Sequence, residues 1–141
     1  MVMLAKTIGW LLIARLMIMG MRLSVASADI VDIVDDLMLD SALSRNKHFV
    51  LLSYVTQCPY SRMFMPIFEN VCKMAGLECG KLNCQEQRIL CHDTKVEGVP
   101  DVKVYTNKEI VYHRAGFMSQ DDFLAEIRKL NLNRFRLITS R

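Results

Sequence analysis

A continuous apolar run of strand length, His48-Phe49-Val50-Leu51-Leu52-Ser53-Tyr54-Val55, gives way within a few residues to a helical pattern, and that corner leaves few folds open. Thr56 and Gln57 end the run. Cys58-Pro59-Tyr60-Ser61 then opens a periodic stretch carrying Met63, Phe64, Ile67, Phe68, Val71, Cys72 and Ala75, with Gly76 placed to stop it. In an α/β context, a strand apolar on both faces is central and covered by helices on each side. Cys58 therefore sits at a strand-to-helix corner.

The flanking sequence supplies the rest of one alternating domain. Ile30, Val31, Ile33, Val34, Leu37 and Leu39 interleave with Asp29, Asp32, Asp35, Asp36 and Asp40, which predicts an amphipathic first helix with its acids near the positive end. Leu77 to Cys84 reads as a second strand and Gln85 to Lys95 as a short helix. Gly98-Val99-Pro100 is a turn into Val102, Val104 and Tyr105, and Asn107-Lys108 joins that strand to Ile110, Val111 and Tyr112 as a hairpin. After Gly116, Ser119 caps a last helix with Phe123, Leu124, Ile127 and Leu130 facing inward. The predicted order is α, β, α, β, α, β, β, α over residues 29–130, with a basic tail at 131–141. At 141 residues, 52% hydrophobic and 23% charged, the chain has apolar side chains for one core and too little charge for a disordered chain. Six Gly and three Pro, with no internal repeat, exclude low-complexity and solenoid architectures.

Charge sorts the partners. Lys6, Arg15 and Arg22 are the only charged residues before Asp29, so residues 29–141 carry fifteen basic against fifteen acidic side chains. That neutral remainder has no electrostatic footprint for nucleic acid, which excludes nucleic acid as a partner. The basic residues of the tail suit a helix C-terminus and its dipole. His48, His92 and His113 are scattered and read as surface or strand-end residues, with none beside Cys58 as a catalytic base.

Residues 1–28 are a separate problem. The stretch from Met1 to Met21 is nearly all apolar, Lys6 precedes its main run, and Ala26-Ser27-Ala28 is a small-x-small pattern suited to signal peptidase, with cleavage before Asp29. Arg15 splits the run and would cost roughly 2.5 to 3.5 kcal/mol at the centre of a bilayer, which weighs against a spanning helix more than against a transient signal. A signal peptide, an uncleaved membrane anchor and a transit peptide or misassigned start all remain open. A membrane enters as a partner only if this segment is retained.

The spacing around Cys58 resembles the thioredoxin superfamily. Cys58-x-x-Ser61 stands at the place of the thioredoxin C-x-x-C, and Pro66 matches the proline of the active-site helix. Val99-Pro100 matches the residue pair that carries the cis-proline, Gly116 matches the glycine after the last strand, and Lys81-Leu82-Asn83 resembles the third-strand lysine segment. The likeness covers roughly residues 30–130 and implies a thioredoxin-like α/β fold, a central mixed β-sheet flanked by helices, preceded here by the hydrophobic segment. Cys58-Pro59-Tyr60-Ser61 also looks like the glutaredoxin C-P-Y-C, but glutaredoxins lack the helix proline and carry a Gly-Gly-x-Asp element absent here. Pro66-Ile67-Phe68-Glu69 and the pair Cys84 and Cys91 point instead to the protein disulfide isomerase group, and a C-x-x-S followed by P-I-F-E is similar to its monothiol members.

The resemblance implies roles that the residues can also be asked to justify. A Cys in the first turn of a helix is favoured as thiolate by unpaired backbone N–H groups and the helix dipole, and the thiolate is the nucleophile of disulfide exchange. Ser61 can donate a hydrogen bond to that thiolate but cannot attack sulfur, so no internal disulfide closes here and another thiol must resolve an adduct. Cys72 cannot do so, because fourteen residues of helix put it about 21 Å away and a disulfide needs Cα atoms within ~7 Å. The candidate catalytic residues are Cys58 and Ser61. Pro59, Tyr60, Val99 and Pro100 are candidate client-binding residues, with Pro100 expected in the cis form and the Val99 backbone left to pair with an extended client. Leu52 stands where the family usually carries a buried acid, which implies slow turnover; Lys81 is a nearby charge that could substitute in part, although a Lys on a strand is more often simply solvent-facing.

Five Cys is an odd number, so at least one thiol lacks an intramolecular partner. The resemblance pairs Cys84 with Cys91, and their spacing suits a local structural disulfide. Cys72 and Cys79 read as buried free thiols in the core, with a second disulfide as the lesser reading. Short C-x-x-C hooks are missing, so neither a metal nor a cofactor is expected. The expected function is monothiol thiol-disulfide exchange on client proteins of the secretory pathway, with an external thiol reductant. The alternative is a thioredoxin-fold chaperone or adaptor that tethers clients by mixed disulfide or binds them without exchange. The expected location is the endoplasmic reticulum lumen or outside the cell, or else a single-pass anchor. Ile138-Thr139-Ser140-Arg141 is not a KDEL-type signal, so residence in the endoplasmic reticulum would rest on an anchor, a partner or nothing.

Overall fold

The apolar run at 48–55 becomes the middle of a five-stranded sheet because only there are both its faces covered. The computed structural model describes residues 29–132. Its elements are β1 (Val31–Ile33), α1 (Asp36–Arg45), β2 (His48–Tyr54), α2 (Pro59–Ala75), β3 (Cys79–Asn83), α3 (Arg88–Asp93), β4 (Asp101–Thr106), β5 (Glu109–Ala115) and α4 (Gln120–Lys129). The strands lie in the order β1-β3-β2-β4-β5, with β1, β3 and β2 mutually parallel and β4 and β5 antiparallel to their neighbours. This is the mixed sheet flanked by helices that the sequence predicts.

Alternate residues of β2 feed two cores. Val50 and Leu52 face α2 and α4, where Phe64, Phe68, Val71, Phe123 and Ile127 pack against them. Phe49 and Leu51 face α1 and α3, against Leu39, Leu90 and Cys91. Gly80 marks the closest approach on this second face, since a Cβ there would stand 2.7 Å from the ring of Phe49. Phe64 and Phe68 make tilted and edge-on contacts with each other and with Phe123 and Phe117, apart from a stacked Phe68–Phe123 pair, so α2 is fixed along its length against the sheet and α4.

Two expectations are corrected. The first helix does not span Ile30 to Leu39: Val31, Asp32 and Ile33 instead form an edge strand paired with Gly80, Lys81 and Leu82. Asp35 then caps α1 by accepting the N–H of Met38 at 2.6 Å. The exposed Asp32 between Val31 and Ile33 follows the two-residue period of a strand, and the ladder to β3 decides the matter. Cys72 and Cys79 are buried as expected but are not free; they form a disulfide with Cα atoms 6.3 Å apart. Gly76, at φ +59°, turns the chain back at the end of α2, and the N–H of Leu77 bonds to the carbonyl of Cys72 at 3.0 Å, which brings β3 beside the last turn. Leu132, just past α4, is also buried.

The signal-or-anchor segment 1–28 and the tail from 133 to 141 lie outside the described residues. Among the described residues, no helix is long and apolar enough to cross a membrane.

Candidate functional site

β2 delivers the chain to the site. Past Tyr54, the N–H of Cys58 bonds back to the carbonyl of Val55 at 3.0 Å, and Cys58 takes an extended conformation as the N-cap of α2. Pro59 occupies the first helical position, where its missing N–H costs no hydrogen bond and its fixed φ suits the helix. The next amides, those of Tyr60 and Ser61, have no intrahelical partner and point toward the Cys58 sulfur. The carbonyl of Cys58 already accepts from Arg62 N–H at 3.1 Å, which closes the first turn.

The thiol is tuned by those contacts. The backbone N–H of Ser61 draws the Cys58 pKa below its ordinary value most strongly, followed by the Ser61 hydroxyl; partial burial opposes them, and the Tyr60 amide and the Arg62 charge add to the lowering. Cys58 is the one free cysteine among the described residues, and it is half-buried. Ser61 is fully buried, and its Oγ also accepts the N–H of Val55 at 3.4 Å. The hydroxyl is therefore held between the end of β2 and the sulfur. Replacing Ser61 with Ala is expected to move the pH profile of Cys58 alkylation by iodoacetamide to higher pH. Below the transition the rate falls severalfold and above it the plateau is unchanged, since the hydroxyl favours only the thiolate. An unshifted profile would show that Ser61 does not hold the thiolate.

Across from the thiol, Cys58 Sγ lies 3.9 Å from the Val99 carbonyl oxygen, and the Val99–Pro100 peptide is cis. Pro100 is buried and Val99 half-buried. Among the described residues the Val99 backbone makes no main-chain hydrogen bond, so its N–H is open to an incoming strand and its C=O is met only by the Cys58 thiol. Tyr60 and Met63 on α2 and Phe117 after β5 are exposed. Cys58, Ser61, Pro59, Tyr60, Val99 and Pro100 thus converge on one end of the sheet.

A family model described as thioredoxin matches residues 31–129. The chain belongs to the thioredoxin family. The thioredoxin-family domain is similar in structure to a point-mutant thioredoxin from Halobacterium salinarum NRC-1, with a TM-score of 0.70, 20% identity, and 75% of this chain and 94% of that one covered. It is also similar to a thioredoxin of Plasmodium falciparum (TM-score 0.66, 19% identity, 71% and 98% covered) and to mitochondrial thioredoxin 3 of Saccharomyces cerevisiae in its oxidised form (0.65, 14%, 71% and 94%). At these identities the likeness fixes the fold and leaves the substrate open. No curated protein sequence matches the chain. Family membership suggests thiol-disulfide oxidoreductase chemistry in general terms, and Cys58 is where the domain could perform it.

Other candidate residues lie outside this cluster. Cys84 and Cys91 are bonded, with Cα atoms 5.6 Å apart, and brace the end of β3 to α3. Lys81 pairs with Glu69 at 3.0 Å and Asp32 at 3.8 Å. Burial pulls the Lys81 pKa down, but its hydrogen bond to Glu69 and the charges of Glu69 and Asp32 outweigh that and hold it above the ordinary value. Leu52 is fully buried against α2 where an acid would stand, so the charge acting on Cys58 is that of Arg62, which the sequence pattern did not single out. Its position next to Ser61 was the available signal. Among the described residues, no group of three or more His, Cys, Asp or Glu gathers as a metal site.

Proposed function

We propose that this thioredoxin-family chain is a monothiol exchanger of the disulfide isomerase type, acting on client proteins of the secretory pathway. The observation that carries the reading is a lowered-pKa Cys58 beside the open Val99 backbone, with a buried hydroxyl where a second sulfur would be needed to close a disulfide. The Cys58 thiolate attacks one sulfur of a client disulfide, forms a Cys58–client S–S bond and expels the other client sulfur as a thiolate. A thiolate of the same client or of an external thiol then attacks the client sulfur of that bond, and the Cys58 thiolate leaves. Attack by the client's own thiolate isomerises its disulfides with no net redox change; an external thiol reduces them and remains attached as a new mixed disulfide until a second external thiol frees the client. Exposed Tyr60 and Met63 offer an apolar surface to unfolded clients.

Two disulfides in one short domain suit an oxidising compartment, and the apolar residues 1–28 ending in Ala26-Ser27-Ala28 suit delivery there. A second reading has its own support: because Ser61 cannot attack sulfur, adducts persist until an outside thiol arrives, which suits a chaperone that tethers clients.

The test is mass spectrometry of the protein from its native cells under acid quench, with thiols alkylated before and after reduction. The expected result is a chain beginning at Asp29, four cysteines oxidised, and Cys58 either alkylated or joined to another protein. Five reduced cysteines on a chain retaining residues 1–28 would overturn the secretory assignment. An inert Cys58, never found in an adduct, would overturn exchange.

A further inference from the structure

Asp101 directly follows Pro100, and its carboxylate is fully buried. Both oxygens are held. Lys103, two residues along the same strand and 3% exposed, pairs with Oδ2, while His113 Nε2 meets Oδ1 at 2.6 Å. Lys103 also donates to the Lys95 carbonyl at 3.5 Å, and it is paired in register with His113 on β5. Next along the same face, Tyr105 has its pKa pushed up by burial and then by the Asp101 charge. Across on β2, the register partner of Asp101 is Ser53, whose buried hydroxyl has no hydrogen-bond partner among the described residues. His113, with 41% of its side chain exposed, is the member of the triad that reaches solvent.

A buried carboxylate needs strong compensation, and an ion pair in a core rarely gains net stability over an apolar packing of the same volume. What this one does is fix position. The chain enters β4 through Val99 and Pro100, and beyond the ladder that pairs Asp101 with Ala115, two further ties bind that entry to β5: the N–H of Gly116 to the Pro100 carbonyl at 2.7 Å, and His113 to Asp101. The first holds the backbone and the second holds the side chain of the next residue. With the β4 ladder they hold the strand entry next to the Val99 carbonyl, which lies 3.9 Å from Cys58 Sγ.

We propose that Asp101, locked between Lys103 and His113, is a positioning residue for the Val99 backbone on which an extended client strand docks, and that His113 completes the lock from the surface. The inference rests on the thiol-exchange reading and deepens it: the lock governs recognition of a peptide client and leaves the reactivity of the thiol alone. None of these residues acts on the Cys58 thiol, whose pKa is set within its own turn.

The probe is a synthetic extended peptide carrying one cysteine activated as an aromatic mixed disulfide, compared with iodoacetamide, which needs no docking. For His113→Ala the rate with subsaturating peptide is expected to fall about fivefold, as expected for losing a hydrogen bond to a charged group. The change falls in KM with kcat retained. Alkylation of Cys58 stays within about twofold. His113→Gln, whose amide nitrogen falls near the place of Nε2, restores the peptide rate. If His113→Ala does not fold, His113→Asn, too short to reach Asp101, takes its place. A folded variant that reacts with the peptide like the parent would overturn the lock, as would parallel losses with both probes that Gln does not rescue. A parent protein that is alkylated but never exchanges with the peptide would overturn the exchange reading, a result distinguishable from failure of the lock alone.

Discussion

Ser61→Cys is expected to raise turnover in an insulin-reduction assay by at least about tenfold and to shorten the lifetime of client adducts in proportion. The argument is one of reach. Residues three apart in a helical turn have Cα atoms about 5 Å apart, inside the Cα range a disulfide bridges. The Ser61 hydroxyl lies near enough to the Cys58 sulfur to lower its pKa, so a sulfur at that atom would attack the Cys58 side of a mixed disulfide without waiting for a second molecule. Intramolecular attack replaces a bimolecular step, and effective molarities of that kind exceed any cellular thiol concentration by orders of magnitude. Catalysis would then need an external reductant only to reopen the bond between Cys58 and the introduced sulfur, and Leu52, in place of a proton-accepting acid, would cap the gain. Cys58→Ala is the control, and it should form no adduct at all. Should Ser61→Cys leave both turnover and adduct lifetime unchanged, Cys58 is not an exchanging thiol and the domain binds clients by its surface alone.

The site was legible because its signals are local. An apolar run, a turn and Cys58-Pro59 opening a helix are written in consecutive residues, and Gly76 marks the helix end through a backbone angle that favours glycine. Val99 and Pro100 are far away in sequence, and only the resemblance to thioredoxins brought them to Cys58. What stayed hidden depends on pairing and cover that no short window contains. β1 is three residues long and exists through its ladder to β3, so its apolar residues read as the start of the helix that follows. The Cys72–Cys79 bond needs the chain reversal at Gly76, whereas the same separation of seven along a straight element would keep the sulfurs apart. Asp101 and Lys103 alternate with Val102 and Val104, the pattern of a strand with one wet face. The structure buries both faces, and the polar pair survives there because each charge answers the other and His113 answers the remaining oxygen.

Removing the core disulfide should cost more stability than removing the outer one, and it leaves the thiol intact. For a double variant Cys72→Ala and Cys79→Ala, the chain-entropy term for a loop of this size is about 2.5 kcal/mol. Cys72 and Cys79 are buried, so the lost sulfurs also leave space in the core between α2, β2 and β3. In a domain near one hundred residues each kcal/mol lowers Tm by roughly 4–8 °C, so a fall of at least about 10–20 °C is expected in a thermal melt. The pair Cys84 and Cys91 supplies the comparison, because its sequence separation of seven carries the same entropy term while Cys84 is only half-buried. The matched variant lacking that bond should melt closer to the parent, and the difference between the two measures the packing lost around Cys72 and Cys79. Limited reductant should open Cys84–Cys91 first, since access governs the rate of attack on a disulfide. Cys58 lies about fourteen helical residues from Cys72, roughly 21 Å, so its alkylation rate should hold in either folded variant. Equal melting temperatures for parent and Cys72/Cys79 variant would mean that the protein does not carry this bond in its native state.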